Sequence, residues 1–511
     1  MKQNDNLVKL AKITNTAASF LIFLAGLMLI FLPSTEVTSL QRTVLAVLFL
    51  LTGAAKMIGY SSNDLYRLAF QFDFAIGILC ALLAGLLAFL PQRVLPTLPV
   101  LLSVYVILDA LLKLQIAMDA RRFGMESWIA ILCSSLLLGF GGLFALSALY
   151  SSFLTPSVAI GIALGMTPLV GELYAQGDRE KSSGLLQNGI LFYGLLGVAM
   201  AAVQYAVIPL MYHLGQPAEV VDMAIPYYRM LVWSMPFIML FFTFKQFLEG
   251  VGNTKVEMFV TIAANLANIG FNWVFIYGRY GFPEMGAEGA GLGTLMSRII
   301  APMLMIGYFY SRSKYRVYLE GFSPRNYSWA SVRQLLHMGL PISMQMFLEA
   351  SAFVGTGIMM GWFGKETMSA NQIAVTIGNC AFMIVMSIGA ATTIRVSHCY
   401  GARNIGELSL AAKASYHLVL AWNAFAALVF ITMRNIIPTF FSTNPEVIAI
   451  ASQLLVFAAL YQLSDGIQNV SVGILRGIQD VKIIMPIAFV SYWLLNLPVG
   501  YLFGFTMGMG P

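Results

Sequence analysis

Long apolar runs constrain this 511-residue chain more than any other feature. About twenty consecutive apolar residues form a helix that is long enough to cross the hydrocarbon core of a bilayer. We therefore predict an all-α, polytopic membrane protein with about fifteen transmembrane helices. The runs lie at roughly 15–33, 43–60, 72–91, 97–116, 128–149, 151–170, 185–212, 224–247, 256–277, 289–311, 334–362, 370–394, 410–433, 446–472 and 483–505.

Composition supports this class and excludes others. Hydrophobic residues make up 59% of the chain and charged residues only 10%, with a mean hydropathy of +0.79. A soluble domain carries about a quarter charged residues. The net charge of +6 therefore does not indicate a nucleic-acid partner. The four cysteines have no metal-ligand spacing, and no nucleophile triad, metal-protease motif or phosphate-binding loop occurs. We expect neither an enzyme nor a bound cofactor.

The loops between the runs predict an orientation. With the N-terminus in the cytoplasm, eighteen basic residues, Arg476 among them, fall in cytoplasmic loops and five fall outside. Basic residues accumulate on the cytoplasmic side of membrane proteins. We predict a cytoplasmic N-terminus without a cleavable signal, and an extracytoplasmic C-terminus.

Two pairs of similar segments indicate an internal repeat. "EGVGNTK" (249–255) matches "RGIQDVK" (476–482) at an offset of 227, and "YAQGDREK" (174–181) matches "HCYGARNI" (398–405) at an offset of 224. All four lie in predicted cytoplasmic loops, so the two halves run in the same direction. Parallel repeats of this kind enclose a cavity between them.

The repeat is incomplete at both ends. The counterpart of run 334–362 would fall at 110–138, which contains the hydrophilic "DARRFGMES" (119–127), and the counterpart of run 289–311 would fall beyond residue 511. We expect one half to lack its first helix and the other its last. The predicted segments are an N-terminal membrane segment of four or five helices (1–149), a first bundle (150–311), a cytoplasmic loop between the bundles (312–333) and a second bundle (334–511).

The N-terminal segment has a smaller pattern of its own. "FLIFLAGLMLIFLP" (20–33) resembles "FAIGILCALLAGLLAFLP" (74–91), and each is followed by a second apolar helix. This arrangement weakly resembles the HdeD-like family of short paired membrane repeats.

The rest of the chain resembles the multidrug and toxic compound extrusion (MATE) family. That family has twelve helices in two bundles and exports organic cations in exchange for Na+ or H+; ten of the twelve are found here. Seven segments carry the resemblance: "MTPLVGELYAQGD" (166–178), "FLEGVGNTKVEM" (247–258), "NIGFNWVFIYGRYGFPEMGAEGAGLGT" (268–294), "GLPISMQMFLEASAF" (339–353), "SANQIA" (369–374), "ATTIRVSHCYGA" (391–402) and "YQLSDGIQNVSVGILRGIQDVK" (461–482).

Two acids lie at bilayer depth in the second half. The resemblance places Glu349 and Asp465 at a cation site, and Tyr461 lies one helical turn before Asp465 on the same face. Ionisable groups at this depth normally mark an ion or substrate route. The oxygens of all three side chains suit Na+, while a close pair of acids suits a proton. Alternatively, each acid is a structural group that is hydrogen-bonded inside the bundle.

Other polar residues allow two interpretations each. Asn268 and Asn272 share one helix face and match paired asparagines of the family, which implies a polar site in the first bundle; equally, they join helices. Arg298 either pairs with Glu288 or extends to the interface. Asp109 is either a proton site of the N-terminal segment or a structural group.

We expect a cation-coupled antiporter that exports small organic cations across a bacterial cytoplasmic (inner) membrane. One alternative is a lipid-linked flippase of the same superfamily, which predicts a basic cavity. Another is a non-transporting fused or truncated membrane protein, because two helices of the repeat are not found. For the same reason we expect weak export or none from the chain as written. The sequence does not predict an oligomeric state.

Overall fold

The computed structural model describes residues 39–60, 154–208, 218–320 and 327–507, and scattered positions between 77 and 135. The chain forms two units, Met1–Ser152 with Val203–Val221, and Phe153–Ala202 with Asp222–Pro511. Run 15–33 and most of runs 72–91, 97–116 and 128–149 lie outside the described residues.

The first unit contains a helix, α1, over Ser39–Tyr60. Phe49 of α1 packs edge-on against Tyr105, with ring centroids 5.1 Å apart. Asp109 lies 2.5 Å from Lys113 Nζ and 3.8 Å from Lys56 Nζ, and both Lys56 and Asp109 are buried. Asp109 is therefore a partner in a buried ion-pair cluster, since buried charges require opposite charges nearby.

In the second unit, the first bundle is built from seven long α-helices. Each is apolar for most of its length, as expected for helices that pack against each other and against lipid. They are α2 Leu154–Leu164, α3 Met166–Gln176, α4 Arg179–Val207, α5 Ala218–Trp233, α6 Met235–Gly250, α7 Thr254–Ile276 and α8 Gly286–Ser311.

Four long helices and a segmented last helix form the second bundle. Its core is made of small and branched side chains of α11, α12 and α13, such as Ala370, Ala426 and Ala451. The helices, after the four-residue α9 Ser313–Arg316, are α10 Trp329–Gly361, α11 Lys365–Gly401, α12 Ile405–Met433 and α13 Pro445–Gly477, followed by α14 Ile484–Ala488, a π-helix Phe489–Asn496, α15 Leu497–Tyr501 and a second π-helix Leu502–Thr506.

Ten helices of the described residues are long and apolar enough to cross a membrane. They correspond one to one with the last ten predicted runs, and the described residues contain no strand. The all-α membrane fold is thus confirmed. The helices extend beyond several runs, because polar residues such as Arg179 and Arg476 occupy their terminal turns.

The repeat is visible in the backbone of the turns. Gly252, after α6, and Gln479, after α13, both adopt left-handed conformations, with φ of 78° and 64°. They are 227 residues apart, as the matching segments predict. In the other pair, the left-handed residues are Gly177 and Arg403. Helices α4 and α12 therefore begin 226 residues apart, at Arg179 and Ile405.

The two bundles touch where α2 crosses α10. A Cβ atom on Gly161 would lie 2.5 Å from Cα of Ser343, and one on Gly165 would lie 2.7 Å from the backbone nitrogen of Gly339. Real Cβ atoms do not approach other atoms this closely. Small residues at such crossings let two membrane helices pack backbone against backbone.

The predicted loop 312–333 is largely structured where it is described. After α9, a 3₁₀ turn covers Val317–Leu319, and Tyr315 and Tyr318 are buried. Asn253 donates to the Tyr315 hydroxyl at 2.6 Å, and Ser183 donates to the Tyr318 carbonyl at 2.7 Å. At the far end, the Ser328 backbone N–H donates to Asn188 at 2.7 Å. The connector is thus attached to the first bundle.

Candidate cation site

Glu349 lies near the middle of α10 and is partly buried. Its Oε2 accepts a hydrogen bond of 3.4 Å from Gln345 Nε2, one helical turn earlier. Gln345 is almost fully buried. The spacing of four residues places the two side chains on one helix face, so Gln345 orients the carboxylate.

Arg476 is the second partner of Gln345. Its Nη2 donates to Gln345 Oε1 at 2.8 Å, while its Nε is buried without a hydrogen bond. The assignment of Arg476 to a cytoplasmic loop was wrong. The apolar run stops at 472, but α13 continues to Gly477, so the side chain points back into the bundle and interacts electrostatically with Glu349.

Asp465 and Tyr461 lie on one face of α13, one turn apart. Asp465 is partly buried and close enough to Glu349 for the two carboxylates to interact electrostatically. Tyr461 interacts with Asp465, and half of its surface is exposed. The structure therefore brings all three predicted residues to one side of the second bundle. Within the described part of the chain, neither acid forms an ion pair within 4 Å.

The sequence analysis missed the contribution of the last helix. Tyr492 accepts a hydrogen bond of 2.8 Å from Gln468 and also interacts with Glu349. Its neighbour Trp493 donates to Ser351 at 3.2 Å. Both aromatic residues lie in the π-helix Phe489–Asn496. Such segments are rare and frequent at functional sites, and hydropathy alone gives no signal for them.

In the first bundle, Asn268 and Asn272 bond to each other and to the neighbouring helix. Asn272 Nδ2 donates to Asn268 Oδ1 at 3.2 Å, and Asn268 Nδ2 donates to Ser297 of α8 at 3.4 Å. Asn272 Oδ1 is the one amide atom of the pair that is buried without a hydrogen bond. Arg298 donates to Ser234 at 2.7 Å, so the suggested pairing with Glu288 is wrong. These contacts favour helix joining over a binding site.

A charged cluster in the first bundle was also missed. Lys245 Nζ lies 2.6 Å from Glu257 and 3.7 Å from Glu249. The Thr167 hydroxyl lies 3.3 Å from Glu249 and 2.5 Å from Gln246 Oε1. Glu249 is buried, and the cluster joins α3, α6 and α7. Its residues fall at the ends of apolar runs, where sequence reasoning assigns them to loops.

The turns after α3, α6, α11 and α13 meet at one end of the bundles, which we call the turn end (residues 177–178, 251–253, 402–404 and 478–483). His398 Nε2 lies 2.6 Å from the Gly250 carbonyl oxygen, and its ring packs 5.6 Å from Tyr174. Gln479 Nε2 donates to Glu172 at 2.5 Å. Each contact joins one bundle to the other, so the turn end is closed.

The donors fit a small monovalent cation. Two carboxylates, a phenol and amide oxygens are hard ligands, which suit Na+, and a close pair of acids also holds a proton. No group of three or more His, Cys, Asp or Glu residues that could hold a metal ion occurs among the described residues. A groove of about 560 Å³ lies between α11 and α12, and it contains none of the predicted site residues.

Comparisons with known proteins agree with this architecture. The MatE family model matches residues 123–274 and 341–502. The chain is 30% identical over 361 residues to the multidrug resistance protein NorM of Vibrio parahaemolyticus, covering 70% of this chain and 78% of that protein. It is 31% identical to NorM of Photobacterium profundum over the same shares of the two chains.

Solved structures show the same fold. A eukaryotic MATE transporter superposes with a TM-score of 0.65 at 18% identity, covering 80% of this chain and 89% of that one. A Vibrio cholerae MATE transporter in a bent form gives 0.63 at 16% identity, covering 80% and 90%. Because the family model matches more than half of the residues, the chain belongs to the MATE family of multi-pass membrane transporters.

Proposed function

We propose that this protein is a cation-coupled antiporter that exports organic cations from a bacterial cytoplasm in exchange for Na+ or H+. Family membership and the NorM relatives, which are named multidrug resistance proteins, support efflux of this kind. The coupling step is assigned to the second bundle, at Glu349, Asp465 and Tyr461.

The observation that carries the proposal is the pair of acids on α10 and α13. Both carboxylates are partly buried and close enough to interact, and neither has an ion-pair partner within 4 Å among the described residues. An incompletely compensated carboxylate pair inside a bundle binds a proton or Na+ strongly, because ion binding offsets the cost of burying charge. Occupation of this site would change which arrangement of the two bundles is favoured.

Contacts between the bundles support alternating access. The turn end is closed by side-chain and backbone contacts, whereas small residues at the α2–α10 crossing permit close sliding of the backbones. Parallel bundles that rock about a central crossing expose the cavity between them to one side at a time. With the N-terminus in the cytoplasm, the turn end would face the cytoplasm, and the closed arrangement would open outward.

The polarity of the second bundle disfavours the flippase alternative. The described site holds two acids and one arginine, whereas recognition of an anionic lipid headgroup needs an excess of basic side chains. Cationic organic substrates are therefore the better match. The non-transporting alternative predicts correct insertion without ion-dependent efflux.

The test compares Glu349→Gln and Asp465→Asn with Glu407→Gln, an exposed acid that pairs with Arg395 at 3.2 Å. Proteoliposomes holding each variant would be loaded with ethidium and given an inward Na+ or proton gradient. We expect both site variants to lose gradient-driven efflux and the Glu407 variant to retain it. Unchanged efflux in both site variants would contradict the coupling role, and absent efflux from every protein would favour the non-transporting alternative.

A further inference from the structure

Arg476 gives the candidate cation site a fixed positive charge that the coupling mechanism has not used so far. Its guanidinium is joined to Glu349 through Gln345, by hydrogen bonds of 2.8 Å and 3.4 Å. The bridging amide is oriented by both partners, since its oxygen accepts from the arginine and its nitrogen donates to the carboxylate. Because Gln345 is almost fully buried, this path is shielded from water.

The protein environment commits Arg476 to this position. Its Nε is buried and makes no hydrogen bond, which is costly unless the charge is compensated nearby. Within the described residues, it has no acidic partner within 4 Å, and Glu349 is the acid with which it interacts electrostatically. An arginine side chain stays protonated in proteins, so this charge cannot be switched off during a cycle.

The charges of the site can be counted. Glu349 and Asp465 contribute two negative charges and Arg476 one positive charge, while Gln345, Gln468 and Trp493 are neutral. A net charge inside a bundle is costly, so the site approaches neutrality by binding cations. One monovalent cation completes the balance.

We propose that Arg476 is a built-in counter-ion that limits the second-bundle site to one monovalent cation. It neutralises one carboxylate through Gln345 and leaves one negative charge for Na+ or H+. Arg476 is a positioning residue in this scheme, because it contacts the bridging amide and not the ion. The inference rests on the proposed coupling role of the two acids.

The experiment counts the cations bound by the purified 511-residue chain in detergent. One arm measures 22Na+ by equilibrium dialysis, and the other measures protons taken up between pH 10 and pH 7. Each count is taken relative to the same protein carrying Glu349→Gln and Asp465→Asn, so that all other titrating groups cancel. The sum of the two arms gives the occupancy of the site, and the separate arms identify the ion.

We expect about one cation in the wild type and in Arg476→Lys, and about two in Arg476→Gln. The single variants Asp465→Asn and Glu349→Gln should bind none, because the remaining acid is balanced by Arg476. Combining Asp465→Asn with Arg476→Gln should restore about one. Independent carboxylates would instead give two in the wild type and one in each single variant.

The outcomes separate the inference from the proposed function. If the wild type binds no cation beyond the double-amide protein, the coupling role of the acids fails. If it binds two, or if a single amide variant keeps one, the acids bind cations but Arg476 does not compensate them. The wild type and single amide variants suffice for this decision even if Arg476→Gln does not fold.

Discussion

Glu249 and Arg476 occupy equivalent positions in the two halves, 227 residues apart, and carry opposite charges. Each begins its matching segment and lies in the last turn of a long helix, α6 or α13. Glu249 belongs to the Lys245 cluster of the first bundle, whereas Arg476 bonds to Gln345 beside the candidate cation site. The halves share a backbone pattern but differ in their buried charge.

The Lys245 cluster should be more sensitive to loss of the lysine than to joint loss of lysine and acid. Lys245→Met leaves Glu249 and Glu257 without a counter-ion, and breaking a buried pair costs about 3–5 kcal/mol of unfolding free energy. Lys245→Met with Glu249→Gln should recover most of that loss. Thermal unfolding in detergent measures both. Equal midpoints for the two variants would show that Glu249 is already uncharged or solvated.

Breaking the turn end should expose Cys399, which is 5% exposed beside these contacts. In a background where Cys80, Cys133 and Cys380 are serine, Glu172→Ala with Gln479→Ala removes a charge-assisted hydrogen bond between the bundles. We expect alkylation of Cys399 by a maleimide to become about fivefold faster, as loss of roughly 1 kcal/mol implies. Gln176→Ala is the control, since it bonds to Glu172 within α3. Similar rates in both variants would mean that this contact does not hold the end closed.

The α2–α10 crossing should tolerate no added methyl group. A Cβ on Gly161 meets Cα of Ser343, and overpacking of this kind costs about 1–3 kcal/mol. Gly161→Ala should therefore lower the unfolding midpoint. Gly184→Ala, where a Cβ meets nothing within 4 Å, should leave it unchanged or raise it slightly. The close approach is refuted if the two variants unfold at the same temperature.

The asparagine pair should behave as a helix-joining contact. Asn272→Leu removes the bond to Asn268, and such contacts in membranes contribute about 0.6 kcal/mol on average. We expect a small decrease in stability with cation uptake at Glu349 and Asp465 unchanged. Cation counts on the purified variant test this, and lost uptake would return Asn272 to the functional residues.

Two exposed residues at opposite ends of α12 test the orientation. Ile405 is 80% exposed near the turn end, and Phe440 is 78% exposed in the turn after α12. In a cysteine-free chain, a membrane-impermeant maleimide added to intact cells should label Phe440→Cys and not Ile405→Cys, because basic loops lie inside. Permeabilised cells provide the control, in which both should react. The reverse labelling pattern would invert the predicted topology.

Hydropathy predicted the ten long helices because each is one apolar run, and the acids of α10 and α13 stand out because charge is rare there. Arg476 was misplaced because the end of an apolar run is not the end of a helix. The Gln345 bridge could not be predicted, since it depends on the relative rotation of α10 and α13. Tyr492 and Trp493 were missed because a π-helix changes which residues share a face. The boundary at 149/150 stays a prediction, and the family match begins earlier, at residue 123.

The attachment of the connector has a mechanical consequence. Tyr315, Tyr318 and Ser328 are all bonded to the first bundle, so little of the connection between the bundles is slack. Helix α10 begins at Trp329, immediately after the last anchor. If the bundles move relative to each other, α10 must turn about its own first residue. It then acts as a lever arm of 33 residues that carries Glu349 with it, and displacement at the carboxylate scales with its distance from that pivot.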